Sequence, residues 1–124
     1  MTKRILVIED QEDNRAILRD LLTSAGFSVL EAVNGAEGVT KARSELPDLI
    51  LMDIQMPVMD GYEATRRIKA DAATASIPII AVTSYALSGD EVRAREAGCS
   101  GYVAKPFSPR QLLGQVRGFL DKGP

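Results

Sequence analysis

Histidine is absent from this chain of 124 residues. That excludes an internal histidine base, a histidine metal ligand and a histidine phosphoryl carrier. Cysteine occurs once, as Cys99, so no internal disulfide can form. Fifteen basic residues stand against 17 acidic ones, a net charge of −2, and the basic excess that a general nucleic-acid binder needs is missing. Nowhere does an apolar run approach the roughly 20 residues that cross a bilayer, and no basic amphipathic helix suggests attachment to a membrane surface. The opening "MTKR" leads into a strand-like run, not an apolar signal segment. The expectation is a cytoplasmic protein with neither nucleic acid nor membrane as a partner.

What is present is a core. With 45% hydrophobic residues, a chain of this length holds one hydrophobic centre, and residues 1–124 are expected to form a single domain with no output domain. Five aliphatic runs read as strands: Ile5 to Ile8, Phe27 to Ala32, Leu49 to Met52, Ile77 to Val82 and Gly101 to Ala104. Three are apolar nearly throughout, as in parallel strands covered on both faces. Helical patterns lie between them. In the first, Ile17, Leu18, Leu21, Leu22 and Ala25 are expected to line one buried face ended by Gly26; in the last, Ser108 and Pro109 open a helix whose stripe is Leu112, Leu113, Val116 and Leu120. Three weaker helices are expected from Asn34-Gly35 to about Ser44, after Gly61 with Ala64 and Ile68, and from about Gly89 to Ala97. Fivefold alternation of strand and helix predicts an α/β fold, a doubly wound five-stranded parallel sheet with right-handed crossovers.

In such sheets ligands bind beyond the carboxyl ends of the strands, where strand order reverses. Four of the five predicted ends carry polar chemistry: Glu9 and Asp10, then Asp53, then Thr83 and Ser84, then Lys105 followed by Pro106. The second strand supplies none, which suits a strand lying away from the cleft and predicts the order 2-1-3-4-5. Asp53 ends an aliphatic run just before a loop with Pro57 and Gly61. Alone it would be read as a turn cap; beside Asp10 and Lys105 at one rim it reads as functional. Three carboxylates in one cleft repel and need positive charge. Lys105 supplies one unit, and an oxygen-only donor set suits Mg²⁺, which needs one or two carboxylates, better than Ca²⁺. A metal, an ammonium and a hydroxyl around an exposed carboxylate suit in-line phosphoryl transfer, with Asp53 as nucleophile and a donor on another molecule.

The ordered set "ED" (Glu9, Asp10), "LILMDIQMPVMDG" (Leu49 to Gly61), "AVTS" (Ala81 to Ser84) and "KPF" (Lys105 to Phe107) resembles a response-regulator receiver domain, from Lys3 to about Leu120. It looks most like the stand-alone regulators of chemotaxis and cell-cycle phosphorelays, which implies the flavodoxin-like, CheY-like fold. The resemblance implies that Asp53 accepts a phosphoryl group from a sensor histidine kinase or a histidine phosphotransfer protein. It implies Mg²⁺ held by Asp10, Asp53 and the backbone carbonyl of Gln55, with Glu9 acting through water. Thr83 and Lys105 would hold phosphoryl oxygens, Tyr102 would be the aromatic switch with Thr83, and Lys105-Pro106 would be a cis peptide. A downstream protein would read the face of the fourth helix, fifth strand and fifth helix. The fourth-helix segment, Leu87 to Gly98, has few apolar anchors and is expected to be the element that shifts.

Three departures from the family pattern bear on the lifetime of the phosphorylated state: Glu9 where Asp is commoner, Ser84 where Ala is frequent, and Gln55 with Tyr85 over the path of the hydrolytic water. No enzyme activity is expected beyond self-catalysed transfer and autodephosphorylation. The rival readings are an Mg²⁺-dependent aspartate-nucleophile phosphatase, whose motif wants a second Asp where Gln55 stands, and a binding module that works without phosphorylation.

Overall fold

In a computed structural model that describes residues 2–56, 59–83 and 90–121, ten elements alternate. They are β1 (Arg4–Ile8), α1 (Glu12–Ser24), β2 (Ser28–Ala32), α2 (Gly35–Glu45), β3 (Leu49–Asp53), α3 (Gly61–Ala70), β4 (Ile79–Thr83), α4 (Asp90–Ala97), β5 (Gly101–Ala104) and α5 (Pro109–Leu120). The strands pair in parallel in the order β2-β1-β3-β4-β5, as predicted. Of the residues singled out in the sequence, Pro57, Ser84, Tyr85, Leu87 and Gly89 lie outside the described residues.

Strand composition follows position in the sheet. The central strands β3 and β4 are buried at every residue, and β1 at all but Arg4, whereas the edge strand β2 is mostly half-exposed. Helices on the two faces give two apolar clusters. One joins Leu6, Ile8, Ile50, Met52 and Ile79 to Tyr62, Ala64 and Ile68 of α3; the other joins Ile5, Val7, Leu49, Leu51 and Ile80 to Leu18, Leu22, Leu112 and Val116 of α1 and α5. Cys99 is buried in the first, with its sulfur 3.7 Å from the Thr65 hydroxyl. Burial pushes its thiol pKa up, which suits a small inert hydrophobe.

Helix starts are chemically specified. Asn34, Asp60 and Ser108 each accept, through a side-chain oxygen, the backbone N–H three residues on, at 2.7, 2.9 and 3.0 Å, so one orphan donor in each first turn is satisfied. Gly26 takes φ +97° after α1, the left-handed value that glycine adopts most readily.

The first helix departs from expectation at Ile17, which is 59% exposed while Leu18 and Leu22 are buried. Leu18 and Leu22, one turn apart, suffice to contact the sheet. Ile17 instead lines an open apolar groove with Leu21, Pro106 and Phe107. Strand bounds also shift: β2 begins at Ser28, β4 runs from Ile79 to Thr83, and β3 extends to include Asp53, because Asp53 is still in register with Val82. Gly61 is the first residue of α3 and does not precede it.

Gly61 is where backbone approach matters most. A Cβ there would lie 2.4 Å from the Asp53 carbonyl oxygen and 2.8 Å from the Ile54 Cα, both main-chain atoms that no rotamer change can move. Gly61→Ala is therefore expected to destabilise the protein by about 1–3 kcal/mol, measured as a lower urea midpoint at unchanged slope. An unchanged midpoint would mean that the β3–α3 loop yields freely.

Candidate functional site

The strand ends at one rim of the sheet bring the predicted residues together. Asp53 closes β3 and is 6% exposed, Thr83 closes β4 at 1%, and Glu9 follows β1 at 1%. Glu9 stays in the sheet through its N–H, which donates to the Ala32 carbonyl at 3.1 Å; the chain then bends at Asp10. Lys105, one residue beyond β5, donates its backbone N–H to the Thr83 carbonyl at 2.6 Å. Its peptide bond to Pro106 is cis.

Glu9, Asp10 and Asp53 each offer a carboxylate oxygen within 4.8 Å of the others. The Lys105 ammonium lies 3.0 Å from Glu9 Oε1, and the Gln11 backbone N–H donates to Glu9 Oε2 at 2.9 Å. Asp53 Oδ1 accepts the Gln55 backbone N–H at 3.2 Å. The Gln55 side-chain amide turns the other way and donates to the Thr83 hydroxyl at 2.6 Å. Gln55 thus touches two of the residues expected to act in phosphoryl transfer.

Burial drives the charge distribution. It pushes the Asp53 carboxyl up from the ordinary 3.8 to about 7, helped by the negative charge of Glu9 and by the hydrogen bond the two acids share; Lys105 and the Gln55 N–H oppose this. Burial also works against the Glu9 carboxylate, but the Gln11 N–H, the Lys105 ammonium and the hydrogen bond to Asp53 outweigh it, and Glu9 titrates below the ordinary range. The one described ammonium in the cluster is committed to Glu9, so Asp53 is the acid left to share a proton. This is the like-charge frustration expected of carboxylates in one cleft. An added cation would relieve it, and the donors present, all oxygen with neither histidine nor thiolate among them, match a hard divalent ion.

Tyr102 is half-buried on β5, against the apolar cluster that contains α3 and α4. Its carbonyl accepts the Gln115 amide of α5 at 3.3 Å. Among the described side chains of α4, only Ala94 and Ala97 are buried and Val92 is 57% exposed; Arg93 lies 4.5 Å from the centre of the Tyr62 ring on α3. The anchorage of α4 is as thin as its sequence suggested. No helix among the described residues is long and apolar enough to cross a membrane.

One residue of the site went unread in the sequence. Arg15, on the first turns of α1, donates from Nη1 to the carbonyl oxygens of Glu9 and Asp10 at 3.0 and 3.3 Å, and its Nε lies 3.4 Å from Glu31 on β2. Its position held a clue, since a cation near a helix N-terminus opposes the helix dipole and calls for a compensating partner.

Residues 5–117 match the family model described as "Response regulator receiver domain". The polar-differentiation response regulator DivK of Brucella ovis is 41% identical over 120 residues, covering 97% of this chain and 98% of that protein. The receiver domain of a Pseudomonas aeruginosa sensor histidine kinase, solved with a magnesium ion coordinated in its active-site cleft, is 36% identical with a TM-score of 0.91, covering 98% of this chain and 99% of that one. Vibrio cholerae chemotaxis protein CheY4 superimposes with a TM-score of 0.91 at 28% identity, over 97% of this chain and all of the other.

Proposed function

The chain belongs to the response regulator receiver domain family, and from that premise we propose that it accepts a phosphoryl group on Asp53 from a phosphohistidine donor and thereby switches a protein-binding face. The observation that carries this reading is Asp53 itself. It is buried against Glu9, accepts the Gln55 N–H, and is lifted to a pKa of about 7 by burial first and by the Glu9 charge second. Asp10, Asp53 and the Gln55 carbonyl would hold Mg²⁺, with Glu9 reached through water, and the bound ion would offset negative charge on the carboxylates and on the incoming phosphoryl oxygens.

Within the chain the work divides as follows. An Asp53 carboxylate oxygen attacks phosphorus; the P–N bond to the donor imidazole breaks and its electron pair stays on nitrogen, which picks up a proton. The product is an acyl phosphate on Asp53 and a neutral histidine on the donor. Lys105 and Thr83 receive the phosphoryl oxygens by charge-assisted hydrogen bonds. For this Lys105 must share its ammonium between Glu9 and the new anion, and the Thr83 hydroxyl, which accepts from Gln55, must turn its own O–H toward that anion. Displacement of Thr83 frees the space into which Tyr102 turns, and the α4–β5–α5 surface changes for a downstream partner. Phosphorylation shifts this equilibrium only because the phosphoryl group interacts better with the inward Thr83 than with the resting one.

The test is incubation with Mg²⁺ and acetyl phosphate followed by peptide mass spectrometry. We expect a hydroxylamine-labile phosphoryl adduct on Asp53 that EDTA abolishes. No adduct on Asp53, or sustained turnover of small phosphate esters, would overturn the reading, the second in favour of a phosphatase.

A further inference from the structure

We infer that Arg15 is the positioning residue for the acidic pair, fixing the direction in which Asp10 presents its carboxylate to a divalent cation. This rests on the reading of Glu9, Asp10 and Asp53 as a cation site. The segment from Glu9 to Gln11 leaves the sheet and has to be rigid without it. Several of its polar main-chain groups have partners: the Glu9 N–H donates to the Ala32 carbonyl, the Gln11 N–H to the Glu9 side chain, the Gln11 carbonyl accepts the Arg15 backbone N–H, and the carbonyls of Glu9 and Asp10 both accept from Arg15 Nη1. Successive carbonyls of an extended strand point to opposite sides. Here two converge on one nitrogen, so Arg15 holds the chain in the bend at Asp10.

Among the described residues no donor holds the Asp10 carboxylate itself, so its direction follows from its backbone. That backbone follows from Arg15. The guanidinium is in turn oriented by Glu31, 3.4 Å from Nε, and the Arg15 side chain is only 15% exposed. A planar group that donates to two carbonyls from one nitrogen, with another nitrogen paired at 3.4 Å with a carboxylate, gives an angular constraint that the point charge of lysine does not reproduce. Partners that orient metal ligands in this indirect way typically matter 10- to 100-fold for metal affinity.

The sign of the effect separates this role from plain electrostatics. Removing a positive charge near an acidic cluster, by charge alone, strengthens cation binding. Loss of positioning weakens it, and weakens Mg²⁺ more than Ca²⁺, because Mg²⁺ demands near-ideal octahedral geometry whereas Ca²⁺ tolerates irregular spheres.

The experiment titrates the full chain with MgCl₂ and with CaCl₂ by calorimetry, for wild type, Arg15→Ala, Arg15→Lys and Glu31→Gln, with thermal melts in EDTA to establish folding. We expect Arg15→Ala to weaken Mg²⁺ binding by about tenfold or more and Ca²⁺ binding by less. Arg15→Lys and Glu31→Gln, which perturb folding least, should shift both affinities in the same direction by smaller factors. Labelling of Asp53 by acetyl phosphate should return to the wild-type rate when Mg²⁺ is saturating, which places the defect in cation binding and not in transfer. Equal or tighter Mg²⁺ binding in the folded variants overturns the inference while leaving the proposed function intact. Failure of the wild type to bind Mg²⁺ overturns the site reading on which both depend.

Discussion

Asp53→Asn should melt several degrees above the wild type in EDTA at pH 8, while accepting no phosphoryl group at all. The argument is one of linkage. In the folded state the Asp53 carboxyl titrates near 7 against an ordinary 3.8, so between those values the folded chain binds a proton that the unfolded chain has released. Stability then falls as pH rises: the contribution is whole below about 3.8 and gone once pH has passed about 7. At about 1.4 kcal/mol per pH unit, the displacement bounds the effect at ~4 kcal/mol. Glu9 has the opposite sign. Its folded value is lowered, so its contribution is present above the ordinary 4.5 and is lost as pH falls through the lower folded value, and the span from about 4.5 to 7 belongs to Asp53. Asparagine keeps an acceptor for the Gln55 N–H and carries no charge at any pH. The gap in melting temperature should therefore close toward pH 4.5, and 10 mM Mg²⁺ at pH 8 should raise the wild type and not the variant. Identical melting temperatures of the two proteins across this range would show that Asp53 titrates as an ordinary surface carboxylate.

The sequence revealed the sheet because three of its strands are buried on both faces and so consist of nearly continuous aliphatic residues, short and alternating with helical patterns. The reversal point could be placed because four strand ends are polar and that of β2 is not. Ends of elements were less legible, since they depend on pairing: Asp53 counts as strand only because Val82 of β4 is in register beside it. The exposure of Ile17 was misread for a related reason. Periodicity identifies a stripe, but the width of stripe that the sheet covers is a tertiary property, and α1 fully buries Leu18 and Leu22, with Leu21 packed at their edge.

Within the site, the strand-end positions of Glu9, Asp10, Asp53 and Thr83 were readable, and the internal partnerships were not. Lys105 was expected at the phosphoryl group, and at rest it pairs with Glu9 across 96 residues of chain. Gln55 was expected to matter by its carbonyl and by its position over water, and its side chain also reaches the Thr83 hydroxyl. Neither contact has a signature in spacing, because both depend on rotamers chosen after the strands have paired. The same holds for the proton on Asp53. Acids gathered at one rim raise one another's pKa, but which of them is raised depends on relative burial and on the direction of a single ammonium.

Lys105→Met tests that ammonium, and two properties should separate under it. Methionine keeps the apolar stem but leaves Glu9, 1% exposed, without the cation 3.0 Å away. Breaking a buried pair from one side typically costs about 3–5 kcal/mol; with Lys105 still 18% exposed, the lower part of that range is expected in EDTA at pH 8. The acids can escape by taking up a second proton, so the folded pKa of Glu9 should move from below its ordinary value to above it. The sign of its linkage then inverts, and the destabilisation should shrink as pH falls toward 5. Mg²⁺ should likewise restore the melting temperature, because a divalent ion supplies the missing charge wherever it comes from. It should not restore transfer. If Lys105 receives a phosphoryl oxygen, its removal deletes a donor aimed at charge that develops during the reaction, an interaction worth about 10²–10³ in rate. With acetyl phosphate at saturating Mg²⁺, labelling of Asp53 should stay slower by about that factor even in a fully folded variant. Recovery of both stability and labelling on adding Mg²⁺ would reduce Lys105 to a neutralising charge and remove it from the transfer step.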